Sequence, residues 1–415
     1  MERWICDKGE IEIVETVSSG GQGTVYKAKI RGNLYALKVY NRNYDPAERE
    51  KVKERLNKII TKRGIDPDIN LNVFILPQSI AESGNKLGYI MEFLSERYKS
   101  LDHIMDKDPK FIFEVCINLC QAFHNLHSAG LSYKDISCRN VYFDEQTGKV
   151  KIIDSDNVSS DFKESEIKGT GDFMAPELVE NKVKQPSETT DLYSLAVLLF
   201  KLLFGDRDPR FSSDSGNVMR RGGYGFDAKF IYEDEANLNK YDNDEDRAKN
   251  WRTLPEFLRD LFRKAFMKGI KDPESRPTAD DWLEAFIKLR GLAYECPKCG
   301  LNFLNEENYE KSGYKLFCPD CRREIKKPVM ETSHKGYIVL EDSDTIYTGY
   351  FKDFDGDKST PAFSVSIENQ NTCILKCLSA EIEKKVGRSV LCTVRRGISV
   401  DVEIGRHKYK LRYPF

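Results

Sequence analysis

The sequence LSYKDISCRN at residues 131–140, followed by KIIDSD at residues 151–156, decides how this chain is interpreted. Two short apolar runs, 141–144 and 150–153, lie beside these segments and predict two strands. The polar side chains therefore stand at the ends of a predicted hairpin.

Three of these side chains suit one kind of chemistry. Asp135 and Asn140 precede the predicted strands and Asp154 follows them, so a hairpin can bring all three together. An aspartate near a hydroxyl and an Asn/Asp pair for Mg²⁺ are what phosphoryl transfer requires, because that reaction depends on positioning and charge neutralisation. For either segment alone, a polar hairpin without catalytic function is an equal alternative.

A glycine cluster lies between two predicted strands near the N-terminus. The segment SSGGQGTV at 18–25 contains Gly20, Gly21 and Gly23, which would let backbone N–H groups approach phosphate oxygens. Lys38 follows on the next alternating strand and could reach the same phosphates. Taken singly, a glycine-rich hairpin and a solvated lysine are the more ordinary interpretations.

Seven motifs in order resemble a eukaryotic-type protein kinase from about residue 10 to 290. They are Gly20-x-x-Gly23-x-Val25 (glycine-rich loop), Tyr35-Ala36-Leu37-Lys38 (V-A-I-K), Tyr133-Lys134-Asp135 with Asn140 (H-R-D-x-x-x-x-N), Asp154-Ser155-Asp156 (D-F-G), Met174-Ala175-Pro176-Glu177 (A-P-E), Asp191–Leu195 (the central helix) and Arg276 (the partner of the A-P-E glutamate). The resemblance implies an α+β, bilobal fold with a β-rich N-lobe at 1–94 and a helical C-lobe at 95–291. A change from alternating to helical periodicity near residue 100 agrees with this.

The resemblance also implies how ATP is held. Lys38 would bind the α- and β-phosphates and pair with a glutamate on the next helix, for which Glu54 is the first choice and Glu50 the alternative. The residues expected around ATP are Gly20, Gly21, Gly23, Val25, Ala36, Met91, Glu92 and Leu94, with Met91 as gatekeeper and Glu92 and Leu94 bonding adenine through their backbones. Glu177 and Arg276 are expected to form a buried structural ion pair.

In the same resemblance, Asp135 would orient the substrate hydroxyl, while Asn140 and Asp154 would bind Mg²⁺. Thr170, in GTGDFMAPE at 169–177, resembles the threonine that bonds the catalytic aspartate in serine/threonine kinases. Arg139 matches the tyrosine-kinase arrangement instead. Serine/threonine specificity is favoured over tyrosine specificity.

Three departures from the family pattern concern regulation more than chemistry. Lys134 replaces the catalytic-loop arginine, so a phosphorylated loop would meet a point charge. Ser155 and Asp156 replace the Phe-Gly of D-F-G, which predicts that this segment lacks the usual in/out flip. Autophosphorylation sites are expected among four serines of the segment, Ser155, Ser159, Ser160 and Ser165.

Periodicity predicts the remaining elements of the kinase region. Strands are expected at 10–14, 24–28, 34–39, 73–76 and 87–93, and helices at 45–60, 111–128, 190–203, 254–269 and 278–289. Residues 205–250, rich in Gly, Asp and Asn, are interpreted as a long surface insertion.

Behind the kinase region, four of the eleven cysteines form two C-P-x-C turns separated by 18 residues. Cys296, Cys299, Cys318 and Cys321 resemble a zinc ribbon at 292–330, in which four thiolates close a tetrahedral Zn²⁺ site. Free or redox-active thiols are the alternative. Loss of Cys318 is expected to unfold this module and spare the kinase fold.

Residues 331–415 alternate in short runs and predict an all-β sandwich or barrel. Kinase, zinc ribbon and β domain in series are similar to bacterial kinases of the tellurium-resistance-associated phosphorylation triad. That resemblance implies a tail that docks a von Willebrand A-domain protein or a phosphatase.

Composition excludes some partners. The net charge of −2, from 65 basic and 67 acidic residues, gives no bulk attraction to nucleic acid or anionic membrane. The N-terminus lacks a signal-peptide pattern, and the strongest apolar run, 192–204, is shorter than the roughly 20 residues that span a bilayer. A cytoplasmic kinase acting on a protein substrate is expected. A nucleotide-binding pseudokinase scaffold and a small-molecule kinase are the alternatives.

Overall fold

The computed structural model describes residues 3–62, 71–159, 169–212, 224–234, 236, 238, 245–332, 336–354 and 356–415. Contacts divide the chain into two compact units, the first from residues 1–106, 125–198 and 218–226 and the second from 107–124, 199–217 and 227–415. These units cut across the predicted domains, whose boundaries stay predictions. In the described ranges, no helix has the length and apolar character needed to cross a membrane.

The described residues contain ten α-helices. They are α1 (Pro46–Lys62), α2 (Pro109–Ser128), α3 (Pro176–Val179), α4 (Glu188–Leu203), α5 (Glu245–Thr253), α6 (Glu256–Arg263), α7 (Gly269–Lys271), α8 (Ala279–Leu292), α9 (Glu306–Lys311) and α10 (Ala380–Val386). A π-helical turn, Lys264–Lys268, joins α6 to α7. All five predicted helices are confirmed, with the one at 254–269 divided by this turn.

A six-stranded closed barrel opens the first unit. Its strands are β1 (Trp4–Cys6), β2 (Gly9–Ser19), β3 (Gly23–Ile30), β4 (Asn33–Tyr40), β5 (Ser79–Ser83) and β6 (Lys86–Met91), in the order β1-β2-β3-β4-β6-β5. The predicted strand at 73–76 is wrong, because that segment makes only an isolated bridge from Phe74 to Ile152. Strands β1 and β5 were not predicted.

Helix α1 follows the barrel strand that carries Lys38. Its start is fixed because Asp45 and Glu48 exchange hydrogen bonds between side chain and backbone N–H, at 2.8 and 3.2 Å. Val52, Leu56 and Ile59 repeat at helical spacing and are buried. This stripe fixes which face of α1 packs against the protein.

The segments 131–140 and 151–156 of the first unit adjoin a three-stranded sheet. Its strands are β7 (Tyr98–Ser100), β8 (Val141–Asp144) and β9 (Val150–Ile152). Strands β8 and β9 pair antiparallel, with Val141 opposite Ile152. The hairpin predicted from the sequence is therefore confirmed, and it brings the ends of 131–140 and 151–156 together.

An aromatic core fills part of the second unit. Phe200 and Phe204 stack at 4.4 Å between ring centroids, and Tyr232 stacks on Trp251 at 4.9 Å. Strands β10 (Arg210–Ser212) and β11 (Ala228–Phe230) pair antiparallel beside these rings. The interpretation of 205–250 as a surface insertion is therefore wrong for the segment 228–232, where aromatic burial outweighs the polar composition; 213–223, 235, 237 and 239–244 lie outside the described residues.

The C-terminal strands of the second unit form three sheets. Strands β12 (Ala293–Cys296) and β13 (Gly300–Phe303) make a hairpin. The other strands form two four-stranded antiparallel sheets, β15-β14-β21-β20 and β16-β17-β18-β19, from β14 (Val329–Thr332), β15 (Gly336–Val339), β16 (Thr345–Tyr347), β17 (Pro361–Glu368), β18 (Thr372–Cys377), β19 (Val390–Arg395), β20 (Ser399–Ile404) and β21 (His407–Arg412). Strand-rich structure was predicted here; α10 was not.

Candidate active site and metal centre

The barrel sets the register of the residues expected around ATP. Val25 on β3 lies opposite Lys38 on β4, and Ala36 on β4 lies opposite Met91 on β6. Ala36 and Met91 are buried in one apolar cluster, and Val25 and Leu94 pack against it. These side chains can form an apolar wall for a planar ring.

The segment after β6, expected to contact adenine, is fixed by an ion pair. Both carboxylate oxygens of Glu92 accept from Lys151 Nζ at 2.9 Å, and Lys151 also donates to the carbonyl of Asn72 at 2.9 Å. The Glu92 side chain is thus engaged away from any ligand. Its backbone groups remain the predicted contacts to adenine.

The glycine-rich loop is folded as a tight hairpin. Gly20 N–H donates to the carbonyl of Gly23 at 3.0 Å, and Asn41 N–H donates to the carbonyl of Gln22 at 3.2 Å. A Cβ at Gly23 would lie 2.6 Å from the Val39 carbonyl oxygen, so the close approach of the strands requires glycine there. A Cβ at Gly20 or Gly21 would meet nothing within 4 Å. The loop tip is therefore open.

Lys38 pairs with two carboxylates that come from the segment after β9. Its Nζ lies 2.9 Å from Asp154 Oδ1 and 3.1 Å from Asp156 Oδ1, and the lysine is only 3% exposed. The structure differs here from the prediction that Glu54 is the partner of Lys38. Glu54 and the alternative Glu50 are both exposed on α1, because the buried stripe of that helix runs along another face.

Electrostatics favour the charged forms of this pair. Burial acts to lower the pKa of Lys38, but the carboxylates of Asp156 and Asp154 outweigh it and raise that pKa. Burial likewise acts to raise the pKa of Asp156, and Lys38, Tyr40 and Arg55 together hold it below its ordinary value. The ammonium of Lys38 and the carboxylate of Asp156 are therefore charged at neutral pH.

The catalytic loop places Asp135 and Asn140 side by side. Asn140 Nδ2 donates to the backbone oxygen of Asp135 at 2.8 Å and to its Oδ2 at 3.2 Å. Thr170 Oγ1 donates to Asp135 Oδ1 at 2.8 Å, which confirms the contact predicted for that threonine. Burial raises the pKa of Asp135, and the hydrogen bonds from Thr170 and Asn140 oppose that rise.

A residue in the first turn of α4 anchors the same loop. Asp191 accepts from the backbone N–H groups of Tyr133 at 2.6 Å and Lys134 at 2.8 Å. Ile153 N–H donates to the Asn140 carbonyl at 2.9 Å, next to Asp154. These bonds bring Asn140 and Asp154, the two predicted Mg²⁺ ligands, into neighbouring positions.

The start of the loop after Asp154 is anchored without any added phosphate. Lys134, which is buried, donates from Nζ to Ser159 Oγ at 2.7 Å, and Ser132 and Ser159 exchange backbone hydrogen bonds at 2.9 and 3.2 Å. Ser155 is fully buried and donates to the Ile152 carbonyl. The other two candidate phosphorylation sites, Ser160 and Ser165, lie outside the described residues.

Glu177 and Arg276, expected to form an ion pair, are each buried within their own unit. Arg276 Nε donates to the Gly269 carbonyl at 2.8 Å. Their mutual pairing stays a prediction.

A second candidate centre lies in the second unit. The sulfur atoms of Cys296, Cys299, Cys318 and Cys321 all lie within 4.8 Å of one another, and those of Cys296 and Cys321 are 3.7 Å apart. With metal–sulfur bonds of about 2.3 Å, a regular tetrahedron separates its sulfurs by about 3.8 Å. The donor set and spacing thus fit one tetrahedral metal ion closed to water.

Sequence reasoning missed three residues of the active site, Tyr40, Arg55 and Asp156. Tyr40 OH donates to Asp156 Oδ2 at 2.8 Å. Arg55 hydrogen-bonds Tyr40, and its charge lowers the pKa of Asp156. An aspartate where the family has glycine was visible in the sequence. Tyr40 shares a face of β4 with Lys38, two residues before it, whereas the position of Arg55 depends on how α1 is rotated.

The chain is similar to known proteins over its N-terminal two thirds. The family model for the protein kinase domain matches residues 11–286. The chain is 27% identical over 214 residues to ribosomal protein S6 kinase alpha-2 of Homo sapiens, covering 48% of this chain and 28% of that protein. It is 26% identical over 211 residues to the putative serine/threonine-protein kinase/receptor R831 of Acanthamoeba polyphaga mimivirus, covering 48% and 12%.

The chain belongs to the protein kinase family, since the family model spans more than half of its length. That family has a bilobal fold and uses ATP and Mg²⁺ to transfer a phosphoryl group. The chain spans about a quarter or less of the length of these two relatives.

Proposed function

We propose that this chain is an active serine/threonine protein kinase that transfers the γ-phosphoryl group of ATP to a protein hydroxyl. Lys38 holds the α- and β-phosphates, Asn140 and Asp154 bind Mg²⁺, and Asp135 orients the attacking hydroxyl. The observation that carries the proposal is the pair of contacts at opposite sides of the site, Lys38 to Asp154 and Thr170 to Asp135.

The remaining ATP contacts follow from the barrel. Val25, Ala36 and Met91 line the adenine ring, the backbones of Glu92 and Leu94 bond its edge, and the loop carrying the three glycines covers the phosphates. The open tip at Gly20 and Gly21 supports this role, because no protein atom would fill the space a phosphate needs.

Serine/threonine specificity rests on Thr170. Its hydrogen bond to Asp135 belongs to the G-T-x-x-F-M-A-P-E pattern, and two relatives carry serine/threonine or S6 kinase names. The physiological protein substrate is not specified by these residues.

We also propose that the four cysteines hold one structural Zn²⁺. Their sulfur atoms, which all lie within 4.8 Å of one another, support this proposal, because four thiolates at that spacing complete a tetrahedral site. The docking role of residues 331–415 toward a von Willebrand A-domain protein or a phosphatase stays a prediction.

The test is incubation of the purified chain with Mg²⁺ and ATP, with phosphorylated sites mapped by mass spectrometry. Wild type should acquire phosphoserine or phosphothreonine, and Asp135→Asn and Asp154→Ala should not. Phosphotyrosine would reverse the specificity. ATP binding without phosphate transfer, even to generic protein substrates, would favour the nucleotide-binding scaffold instead.

A further inference from the structure

Both carboxylates that neutralise Lys38 lie on one short turn. Asp154 adopts a left-handed backbone, with φ of 56°, and leads directly into the 3₁₀ turn Ser155–Asn157. This turn brings Asp156 back toward β4, so that Lys38 Nζ lies 2.9 Å from one aspartate and 3.1 Å from the other. The position of Lys38 is thus tied to the segment that carries the metal ligand.

Both carboxylate oxygens of Asp156 accept hydrogen bonds from protein side chains. One oxygen accepts from Lys38, the other accepts from Tyr40 OH at 2.8 Å, and the residue is 2% exposed. Tyr40 is itself buried and lies edge-on to Tyr44 with centroids 5.9 Å apart. Lys38 and Tyr40 therefore hold the buried carboxylate of Asp156 at both of its oxygens.

Helix α1 supplies a cation to this cluster and no glutamate. It carries three glutamates: Glu48 pairs with Arg42, and Glu50 and Glu54 are exposed. Arg55, half-buried on the same helix, hydrogen-bonds Tyr40, whose hydroxyl in turn donates to Asp156. In protein kinases generally, this helix provides the glutamate that pairs with the strand lysine.

We propose that Asp156 is the positioning residue that holds Lys38 for the phosphates of ATP, and that Arg55 of helix α1 holds Asp156 in turn. The lysine–glutamate pair of other kinases is thereby rebuilt with its charges exchanged: the carboxylate comes from the segment after β9 and the helix carries the cation. This inference rests on the proposed role of Lys38 in binding ATP.

Placing the carboxylate after β9 and the cation on helix α1 has a chemical advantage at this site. Asp154 is needed for Mg²⁺ when ATP binds, so a lysine paired with Asp154 alone would lose its partner at that moment. Asp156 stays available to Lys38 because its other contacts, Tyr40 and Arg55, are protein groups. Two cations and two carboxylates also balance the charge of a largely buried cluster, which limits the cost of desolvation.

A double-mutant cycle at Arg55 and Asp156 tests the proposal. Asp156→Gly restores the residue that the family has, but leaves Asp154 as the carboxylate beside Lys38, and Mg²⁺ engages that aspartate when ATP binds. The kcat/KM for ATP should therefore fall by at least about 100-fold. Arg55→Glu adds a third carboxylate and should also impair the enzyme. The Arg55→Glu/Asp156→Gly double variant recreates the family's pairing of a helix glutamate with the strand lysine. Its kcat/KM for ATP should be at least about tenfold higher than that of the less active single variant.

Matched controls separate charge from packing and from folding. Asp156→Asn keeps the size of the side chain and should lose nearly as much ATP affinity as Asp156→Gly. Glu54→Gln and Glu50→Gln should stay within about twofold of wild type, as expected for exposed side chains. Each variant is checked for its fold by circular dichroism and for Mg²⁺-ATP affinity by calorimetry.

Three outcomes would overturn the proposal. These are additive losses in the double variant, a loss in Glu54→Gln as large as that in Asp156→Gly, and lower melting temperatures with unchanged ATP affinity. Lys38→Met identifies a failure of the proposed function separately, since unchanged ATP affinity there would remove the role of Lys38 itself. If wild type binds ATP but transfers no phosphate, the same double-mutant cycle is evaluated from the Mg²⁺-ATP affinities of the variants.

Discussion

At the residue scale, the hydrogen bond from Thr170 to Asp135 has a measurable consequence. Burial raises the pKa of Asp135, and Thr170 opposes that rise by donating to the charged carboxylate. The reaction needs the carboxylate, so kcat should fall as pH drops through this pKa. Thr170→Val removes the donor and should move that acid limb to higher pH.

The pH dependence of kcat, measured under saturating ATP for wild type and Thr170→Val, checks this prediction. Thr253→Val is a suitable control, because the hydroxyl of Thr253 donates to its own helix at Lys249 and should leave the profile unchanged. An acid limb that stays in place, or moves to lower pH, would contradict the assignment of Asp135.

The sequence indicated candidate catalytic groups but not the partners of Lys38. Asp135, Asn140 and Asp154 were chosen because they surround two short strands and match motifs of the protein kinase family, and their catalytic roles stay predictions. Glu54 was chosen as the partner of Lys38 from helical periodicity alone, and the structure places it in solvent. One helical step changes which side chain faces the site, and periodicity does not fix that step when Glu54 and Arg55 are adjacent.

At the element scale, the cysteine-bearing segment is less independent than its sequence suggests. Phe303 of β13 packs on Phe113 of α2 with ring centroids 6.1 Å apart, and Leu304 N–H donates to the Leu292 carbonyl at 2.8 Å. Both partners belong to the helical part of the second unit. The expectation that loss of the metal spares the kinase fold does not allow for this shared packing.

Cys318→Ser should therefore remove the metal and also lower the melting temperature of the second unit. Metal content is measured by mass spectrometry of the purified chain, and unfolding by differential scanning calorimetry. Cys377→Ser, outside the four-cysteine cluster, should retain one Zn²⁺ per chain. Unchanged zinc in Cys318→Ser would refute the site, and zinc loss without any change in melting would refute the shared packing.

The element boundaries show where periodicity succeeds. Helix α8 and the hairpin β8–β9 were predicted within a few residues because each has a strong apolar pattern. Part of the region 205–250 was misjudged because its Gly, Asp and Asn content hides Phe230 and Tyr232, which are buried against Phe200. Composition averages over a segment, whereas burial is decided residue by residue.

At the scale of the whole molecule, the C-terminal β region is part of the structure of the second unit. Arg290 of α8 is 5% exposed and lies 3.2 Å from both Glu114 of α2 and Asp344. Gly291 is needed at the same contact, since a Cβ there would lie 2.9 Å from the Tyr350 ring. These contacts join helices of the kinase region to the two sheets that follow.

Asp344→Ala should destabilise the chain by about 3 to 5 kcal/mol, because it leaves a buried arginine with one carboxylate fewer. Urea unfolding followed by tryptophan fluorescence measures the change. The control is Glu403→Ala, which breaks an exposed pair with Lys408 and should have little effect. Equal effects of the two substitutions would show that Arg290 does not fasten the β region.

Phosphoryl transfer at Asp135 is the central activity proposed for this chain, and single-turnover kinetics test it most directly. Excess enzyme is mixed with γ-labelled ATP, Mg²⁺ and a generic protein substrate, and label on protein is followed in wild type and Asp135→Asn. We predict transfer in wild type and a rate lower by about 10²- to 10⁴-fold in the variant, with ATP affinity unchanged. Equal rates in the two proteins, or no transfer by a wild type that binds ATP, would contradict the assignment of this site as a working kinase centre.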